Sequence, residues 1–84
     1  MYEIYLERSA EKDLKRLPVG IFEQIMTHIK ALANTPRPSG CHKITGSKND
    51  WRIRIGNDRV IYEIDEKGKA VKVMRVRHRR EVYR

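Results

Sequence analysis

WRIRIGNDRVIYEID, residues 51–65, alternates apolar and polar side chains on either side of a short turn signal. A period of two is typical of a β-strand that buries one face. One face of the first half carries only apolar side chains: Trp51, Ile53 and Ile55. The tripeptide GND, residues 56–58, tolerates positive φ and favours a tight turn. The stretch therefore predicts a hairpin of two antiparallel strands, over residues 50–55 and 59–65.

Outward from this hairpin, three further segments have strand character. YEIYLE, residues 2–7, alternates like a half-buried strand. AVKVMRVR, residues 70–77, contains a β-branched run and follows a second turn signal, EKGK, at residues 66–69. CHKITG, residues 41–46, predicts only a weak, short strand.

Two segments between the first strand and the hairpin have helical spacing. Ser9 is a suitable N-cap for a helix over residues 10–17, which Pro18 ends. Residues 19–35 have the most regular helical pattern, and two prolines and a glycine within residues 34–40 end it. Its apolar side chains form one continuous stripe: Ile21, Phe22, Ile25, Met26, Ile29, Leu32 and Ala33.

The order of these segments predicts an α+β fold, β–α–α–β–β–β, in a single domain over residues 1–84. Two N-terminal helices should pack on one face of a mostly antiparallel sheet. With 39% hydrophobic and 36% charged residues, the composition favours a small globular domain over a disordered chain.

Composition also limits the classes of function. Cys41 is the only cysteine, so no intrachain disulfide can form, and three scattered histidines show no metal-ligand spacing. We therefore expect no cofactor. No apolar run approaches the roughly 20 residues that cross a bilayer, and residues 1–12 lack the apolar segment of a signal peptide. A cytoplasmic location is expected.

The positive charge is concentrated in one half of the chain. The formal net charge is +8, of which residues 1–42 contribute +1 and residues 43–84 contribute +7. A folding requirement does not explain this asymmetry, whereas a polyanion does, because clustered cations release counterions when they bind phosphates. An acidic protein or an anionic membrane would also fit the charge. Nucleic acid is the favoured partner class.

The polar face of the hairpin is the first candidate binding surface. Arg52 and Arg54 share it, about 7 Å apart along the strand. If the chain turns at Gly56-Asn57, Arg54 lies directly opposite Arg59, where like charges destabilise a sheet. A phosphate between planar guanidinium groups would remove that repulsion. The alternative is a solvated outer face with ordinary strand arginines.

The C-terminal stretch VRHRREVYR, residues 76–84, adds charge to the same region. The last strand runs beside the hairpin, so its end brings four residues to one end of the sheet: Arg77, His78, Arg79 and Arg80. The final residues could fold back, so that Arg79 and Tyr83 converge on the hairpin arginines. The alternatives are that Tyr83 is a terminal aromatic residue that fills a gap and that His78 is an ordinary surface histidine. His28 and His42, the latter placed in a loop, receive no role.

Three segments taken together resemble the RelE toxins of the RelE/ParE superfamily. They are LERSAEKDLKRLP (residues 6–18), WRIRIGNDRVIYEID (residues 51–65) and VRHRREVYR (residues 76–84). The resemblance implies an antiparallel sheet with two N-terminal helices. It also implies a ribosome-dependent endoribonuclease that cuts messenger RNA in the A site. The implied partners are the ribosome, messenger RNA and an acidic, RelB-like antitoxin, with no membrane.

The resemblance also implies roles for the hairpin arginines. Arg52 and Arg54 occupy the strand on which RelE toxins place two basic groups, and Arg59 matches the basic residue after the turn. Typical RelE enzymes have lysines on the first strand of this hairpin, whereas this chain has Arg52 and Arg54 there. A strand lysine is therefore not available as general base, because arginine effectively cannot lose its proton.

In the C-terminal stretch, Arg79 or Arg80 matches a basic residue of the family and Tyr83 matches its terminal tyrosine. The segment before the tyrosine is shorter than in well-known members, which leaves the choice of arginine open. The implied catalytic set is Arg52, Arg54, Arg59, His78, Arg79 and Tyr83. The implied RNA-binding set is Arg52, Arg54, Arg59, Arg77 and Arg80.

The implied chemistry needs no metal, because RNA carries its own nucleophile. Attack of the 2′-OH on the adjacent phosphate yields a 2′,3′-cyclic phosphate and a free 5′-OH. Arginines would bind and neutralise the phosphate. Tyr83 would stack on a base or accept the 2′-OH proton, and His78 is a candidate acid or base, since histidine titrates near neutral pH.

Two other classes of function compete with the ribonuclease. ParE relatives share the fold and inhibit DNA gyrase by protein contact, without enzymatic activity. A plain nucleic-acid-binding module would also account for the charge. The arginine pairs and the ending HRREVY favour the nuclease branch.

Overall fold

The computed structural model of the chain describes residues 1–78, which form five strands and two helices. In chain order these elements are β1 (Glu3–Leu6), α1 (Arg8–Lys15), α2 (Val19–Ala31), β2 (His42–Lys43), β3 (Asp50–Ile55), β4 (Asp58–Asp65) and β5 (Ala70–His78). The sheet order is β1-β5-β4-β3-β2. The β1–β5 pair is parallel, and the remaining neighbours are antiparallel. The predicted α+β class with a mostly antiparallel sheet is confirmed.

The hairpin forms as its alternation predicts. Ile55 pairs with Asp58 across a two-residue loop, and Gly56 alone of the loop residues has a positive φ, of 61°. Positive φ at the first loop position is the pattern of a type II′ turn, whose twist matches that of the flanking strands. This loop length fixes the register of β3 against β4.

The helices and the inner face of the sheet enclose one apolar core. The core residues are Ala10, Leu14, Ile25, Ile29, Leu32, Ile53, Ile55, Val60, Tyr62, Ile64, Val71, Val73 and Val76. Ile25, Ile29 and Leu32 of the predicted stripe are buried, and Met26 and Ala33 are partly buried. Ile21 and Phe22 are each 38% exposed. Ile21 borders a surface cavity that separates the first turn of α2 from Ile55 and Val76 of the sheet, which leaves this end of the stripe partly exposed.

Both helices differ from their predicted limits. Ser9 is not the N-cap of α1, because the helix begins at Arg8 with Glu7 in the capping position. The Glu7 N–H still bonds Val73 O at 2.9 Å, so the chain passes from strand to helix without a loop. The second helix ends at Ala31, four residues before its predicted end, and continues as a turn. The weak strand predicted at residues 41–46 forms only as the two residues of β2.

An extra residue interrupts the pairing of β4 with β5. Ile61 pairs with Arg75 and Tyr62 pairs with Val73, so Met74 has no partner on β4. Such a bulge shifts the alternation of the strand by one residue. It allows Val73 and Val76, three residues apart, both to be buried.

Asp13 of α1 covers the edge of β5 that β1 leaves open. The β1 pairing ends at Val73. Beyond it, the Asp13 carboxylate accepts a hydrogen bond from Val76 N–H at 2.9 Å and two from the Arg75 guanidinium, at 2.9 and 3.1 Å. The Asp13 side chain is only 9% exposed. One carboxylate therefore joins the first helix to the last strand.

Tyr62 provides a measurable test of the core. Its ring is fully buried, and its hydroxyl donates to the carbonyl of Pro36 at 2.8 Å. Burial raises the pKa of the phenol well above its usual range, so the group stays protonated as a donor. Tyr62→Phe leaves the carbonyl unpaired and should lower the free energy of unfolding by about 1 kcal/mol.

Urea unfolding of Tyr62→Phe measures this loss. Tyr5→Phe is the matched control, because the Tyr5 side chain is exposed and its hydroxyl donates to the surface carboxylate of Glu3. Equal midpoints for the two variants would show that the Tyr62 hydrogen bond contributes nothing to stability.

Candidate functional site

Three arginines form a row across the outer face of the sheet. Arg59 of β4 pairs with Arg54 of β3 on one side and with Arg77 of β5 on the other. The pairing of Arg54 with Arg59 is the register that the sequence predicts, and it is confirmed. Directly paired side chains lie on one face with Cβ atoms about 5 Å apart. Arg52 shares that face, two residues before Arg54. We call Arg52, Arg54, Arg59 and Arg77 the arginine face.

A cavity of about 230 Å³ lies on this face. Its lining consists of Gly40, His42, Arg52, Ile53, Arg54 and Arg59. Gly40 contributes only backbone atoms to the lining. The structure thus brings Arg52, Arg54 and Arg59 to one concave surface. Guanidinium groups in this arrangement suit bidentate binding of phosphate oxygens.

Among the described residues, positive charge is balanced by a carboxylate at one end of the outer face but not at Arg52 and Arg54. At its far end, Glu63 and Lys72 form an ion pair at 3.8 Å. Within residues 1–78, Arg52 and Arg54 take part in no salt bridge. The cationic end therefore attracts anions over a Debye length of about 10 Å at moderate salt.

The structure separates His78 from the arginine face. His78 pairs with Asp58, whose side chain points to the inner side of the sheet and is 6% exposed. It lines a different cavity, of about 460 Å³, together with Asp13 and Asp58. His78 is thus the member of the predicted catalytic set within residues 1–78 that does not share a face with the arginines. Its role as acid or base stays a prediction.

Three predicted site residues lie outside the described residues: Arg79, Arg80 and Tyr83. Their convergence on the hairpin and their roles remain predictions. Arg77, predicted only as an RNA-binding residue, lies within the row beside Arg59.

The sequence interpretation missed His42. It placed this histidine alone in a loop, but His42 belongs to β2 and pairs directly with Arg52. Its side chain therefore belongs to the arginine face. The only signal was the short strand character of residues 41–46, which is too weak to define a face.

The described part of the chain groups several guanidinium cations but no set of metal-ligating side chains. Among residues 1–78, no three His, Cys, Asp or Glu side chains are grouped so as to hold a metal ion. Neither helix in this part of the chain has the length and apolar character needed to cross a membrane. The arrangement can bind, orient and neutralise a phosphodiester.

Comparisons with known proteins agree with the observed fold. The family described as ParE toxin of type II toxin–antitoxin system, parDE, matches residues 4–83. In the RelB–RelE antitoxin–toxin complex of Methanococcus jannaschii, one chain is 30% identical with a TM-score of 0.78, over 94% of each chain. In the RelBE2 toxin–antitoxin complex of Mycobacterium tuberculosis, one chain is 25% identical with a TM-score of 0.83, over 93% of this chain and 98% of that one.

The isolated RelE toxin of Escherichia coli has the same fold. Its TM-score is 0.82 at 23% identity, over 99% of this chain and 92% of that one. No curated protein sequence matches this chain significantly.

Proposed function

The chain belongs to the ParE toxin family of type II toxin–antitoxin systems, within the RelE/ParE superfamily, and from that premise we propose that it is a ribosome-dependent endoribonuclease. The observation that carries the proposal is the arginine face with its cavity. Three guanidinium groups on one concave surface match the needs of a scissile phosphate. The site of action is the cytoplasm, where translating ribosomes are found.

The proposed reaction is attack of a 2′-OH on the adjacent phosphate of messenger RNA. A bond forms between O2′ and phosphorus, and the bond from phosphorus to O5′ breaks. The products are a 2′,3′-cyclic phosphate and a free 5′-OH. Arg54 and Arg59 hold the non-bridging oxygens and offset the charge that grows in the transition state. Tyr83, in the C-terminal stretch, accepts the 2′-OH proton.

The proposed site has few ordinary bases, which fits a requirement for the ribosome. The arginines cannot exchange protons at neutral pH. Isolated RNA is also free to adopt many conformations, so alignment of O2′ with phosphorus is rare. A ribosome that presents messenger RNA in a fixed conformation supplies that alignment.

We also propose that the cognate antitoxin is acidic and RelB-like and covers the arginine face. The similar structures from Methanococcus jannaschii and Mycobacterium tuberculosis are antitoxin–toxin complexes. The charge of +7 in residues 43–84 would otherwise attract RNA throughout the cell. An acidic partner neutralises this surface and blocks the cavity.

Inhibition of DNA gyrase by protein contact is the second candidate function. It is favoured by the family match, which is to ParE toxins. A gyrase inhibitor requires a protein-binding surface, not a phosphate cavity. A plain nucleic-acid-binding module is a third possibility, for which cationic charge alone suffices.

Expression of the chain without antitoxin separates these functions. We expect growth arrest with rapid loss of labelled amino-acid incorporation, while thymidine incorporation continues initially. Messenger RNA ends with a 5′-OH should accumulate. The double variant Arg54→Ala/Arg59→Ala should lose the arrest.

Two results would contradict the ribonuclease proposal. Continued amino-acid incorporation with stalled DNA synthesis would assign the chain to the gyrase inhibitors. Translation arrest without new messenger RNA ends would leave a binding module that obstructs the ribosome.

A further inference from the structure

We propose that His42 is a catalytic residue of the arginine face and donates the proton that the 5′-oxygen leaving group requires. This inference rests on the proposed ribonuclease function and assigns one step of it. It concerns a residue for which the sequence pattern indicated no role.

The position of His42 is set by β2. His42 pairs directly with Arg52, so the two side chains lie on the same face with Cβ atoms about 5 Å apart. His42 lines the same cavity as Arg52, Arg54 and Arg59. Its side chain is exposed, so a bound substrate can reach it.

The backbone around His42 is held on both sides. Cys41 N–H donates to Pro38 O at 3.0 Å, and Ile44 N–H donates to Asp50 O at 2.9 Å. Between these two bonds, His42 itself pairs with β3. The anchored backbone places the imidazole beside the arginines, where a bound phosphodiester would lie within its reach.

The other histidines are placed elsewhere. His28 lies on α2, and its Nδ1 is 2.9 Å from Gln24 O. His78 pairs with Asp58 on the inner side of the sheet and lines the larger cavity. Of the histidines, all of which fall within residues 1–78, only His42 belongs to the arginine face. Arginine cannot supply a proton, whereas imidazolium can do so near neutral pH.

In this step one proton leaves the nucleophile and one reaches the leaving group. The 2′-OH loses its proton to the base while O2′ forms a bond to phosphorus. The bond from phosphorus to O5′ breaks, and its electron pair remains on O5′. The His42 imidazolium transfers one proton to O5′, which leaves a neutral imidazole and a free 5′-OH. The guanidinium groups stabilise charge on the non-bridging oxygens throughout.

A substrate with sulfur in place of the 5′-bridging oxygen tests this assignment directly. A thiolate leaves without protonation, so the sulfur substrate does not need the acid. We expect His42→Gln to cleave ordinary messenger RNA on programmed ribosomes about 10²-fold more slowly than wild type. On the sulfur substrate its rate should return to within a few-fold of wild type. His28→Gln is the matched control and should behave as wild type on both substrates.

The possible outcomes distinguish the role of His42 from the ribonuclease function on which it rests. Wild-type rates for His42→Gln on the ordinary substrate, or equal losses on both substrates, would overturn the role of His42 while leaving the ribonuclease intact. A wild-type protein that cleaves neither substrate would overturn both proposals. Thermal unfolding and ribosome binding of His42→Gln should match wild type, because the side chain is exposed and acts in the reaction.

Discussion

Arg59→Ala is expected to reduce single-turnover cleavage of messenger RNA on programmed ribosomes by about 10²- to 10³-fold, the usual cost of removing one preorganised group that stabilises transition-state charge. Arg59 is the centre of the row, with Arg54 on one side and Arg77 on the other. The substitution removes the guanidinium group that lies between those of Arg54 and Arg77. Binding should weaken together with the rate, and the salt dependence of binding should become shallower by about one phosphate contact.

Lys72→Ala is the matched control for this prediction. Lys72 also lies on the outer face of the sheet, paired opposite Glu63 at the end far from the cavity. Both substitutions remove one positive charge from the same face, but only one removes it from the cavity. Arg59→Lys should recover part of the binding and little of the rate, because lysine lacks the planar fork. Equal losses for Arg59→Ala and Lys72→Ala would show that only the net charge matters.

The largest effect on stability is expected from Asp13→Ala, which should lower the free energy of unfolding by about 2–3 kcal/mol. The substitution leaves the Val76 N–H and the Arg75 guanidinium without their acceptor. Arg75 remains 41% exposed and regains some hydration, which keeps the loss below that of a fully buried pair. For a domain of this size, the melting temperature should fall by roughly 10–20 °C.

Chemical denaturation of two further variants shows which part of the contact matters. Asp13→Asn keeps an acceptor for Val76 but loses the charge opposite Arg75, so an intermediate loss is expected. Glu11→Ala removes an exposed carboxylate from the same helix and should change stability by less than about 0.5 kcal/mol. A loss in Asp13→Ala no larger than in Glu11→Ala would mean that water replaces Asp13 at the strand edge.

The register of the arginines was predictable because local features determine it. Strict alternation defines the two faces of β3, and a two-residue loop beginning at Gly56 fixes the pairing of Arg54 with Arg59. Both signals lie within a few residues of each other. No other part of the chain is needed to place these two arginines side by side.

Features that depend on distant segments were not predictable in this way. Asp13 is one of several charged residues in its helix, and its partners lie more than 60 residues away in the chain. The unpaired Met74 reverses the alternation in the last strand without any glycine to mark it. His42 joined the candidate site only through its pairing with Arg52, since a two-residue strand has too few positions to show a period.

The position of β5 between β1 and β4 affects the order in which the protein can assemble during synthesis. Within residues 1–78, β1 pairs only with β5, so residues 3–6 cannot join the sheet until residues 70–73 have been synthesised. The row of arginines gains its third member, Arg77, only when the same late strand docks against β4. Such long-range pairings slow folding, because a large loop must close first. A nascent chain still emerging from the ribosome therefore carries the hairpin without Arg77 beside it, and the row of three arginines forms only once β5 is free to dock.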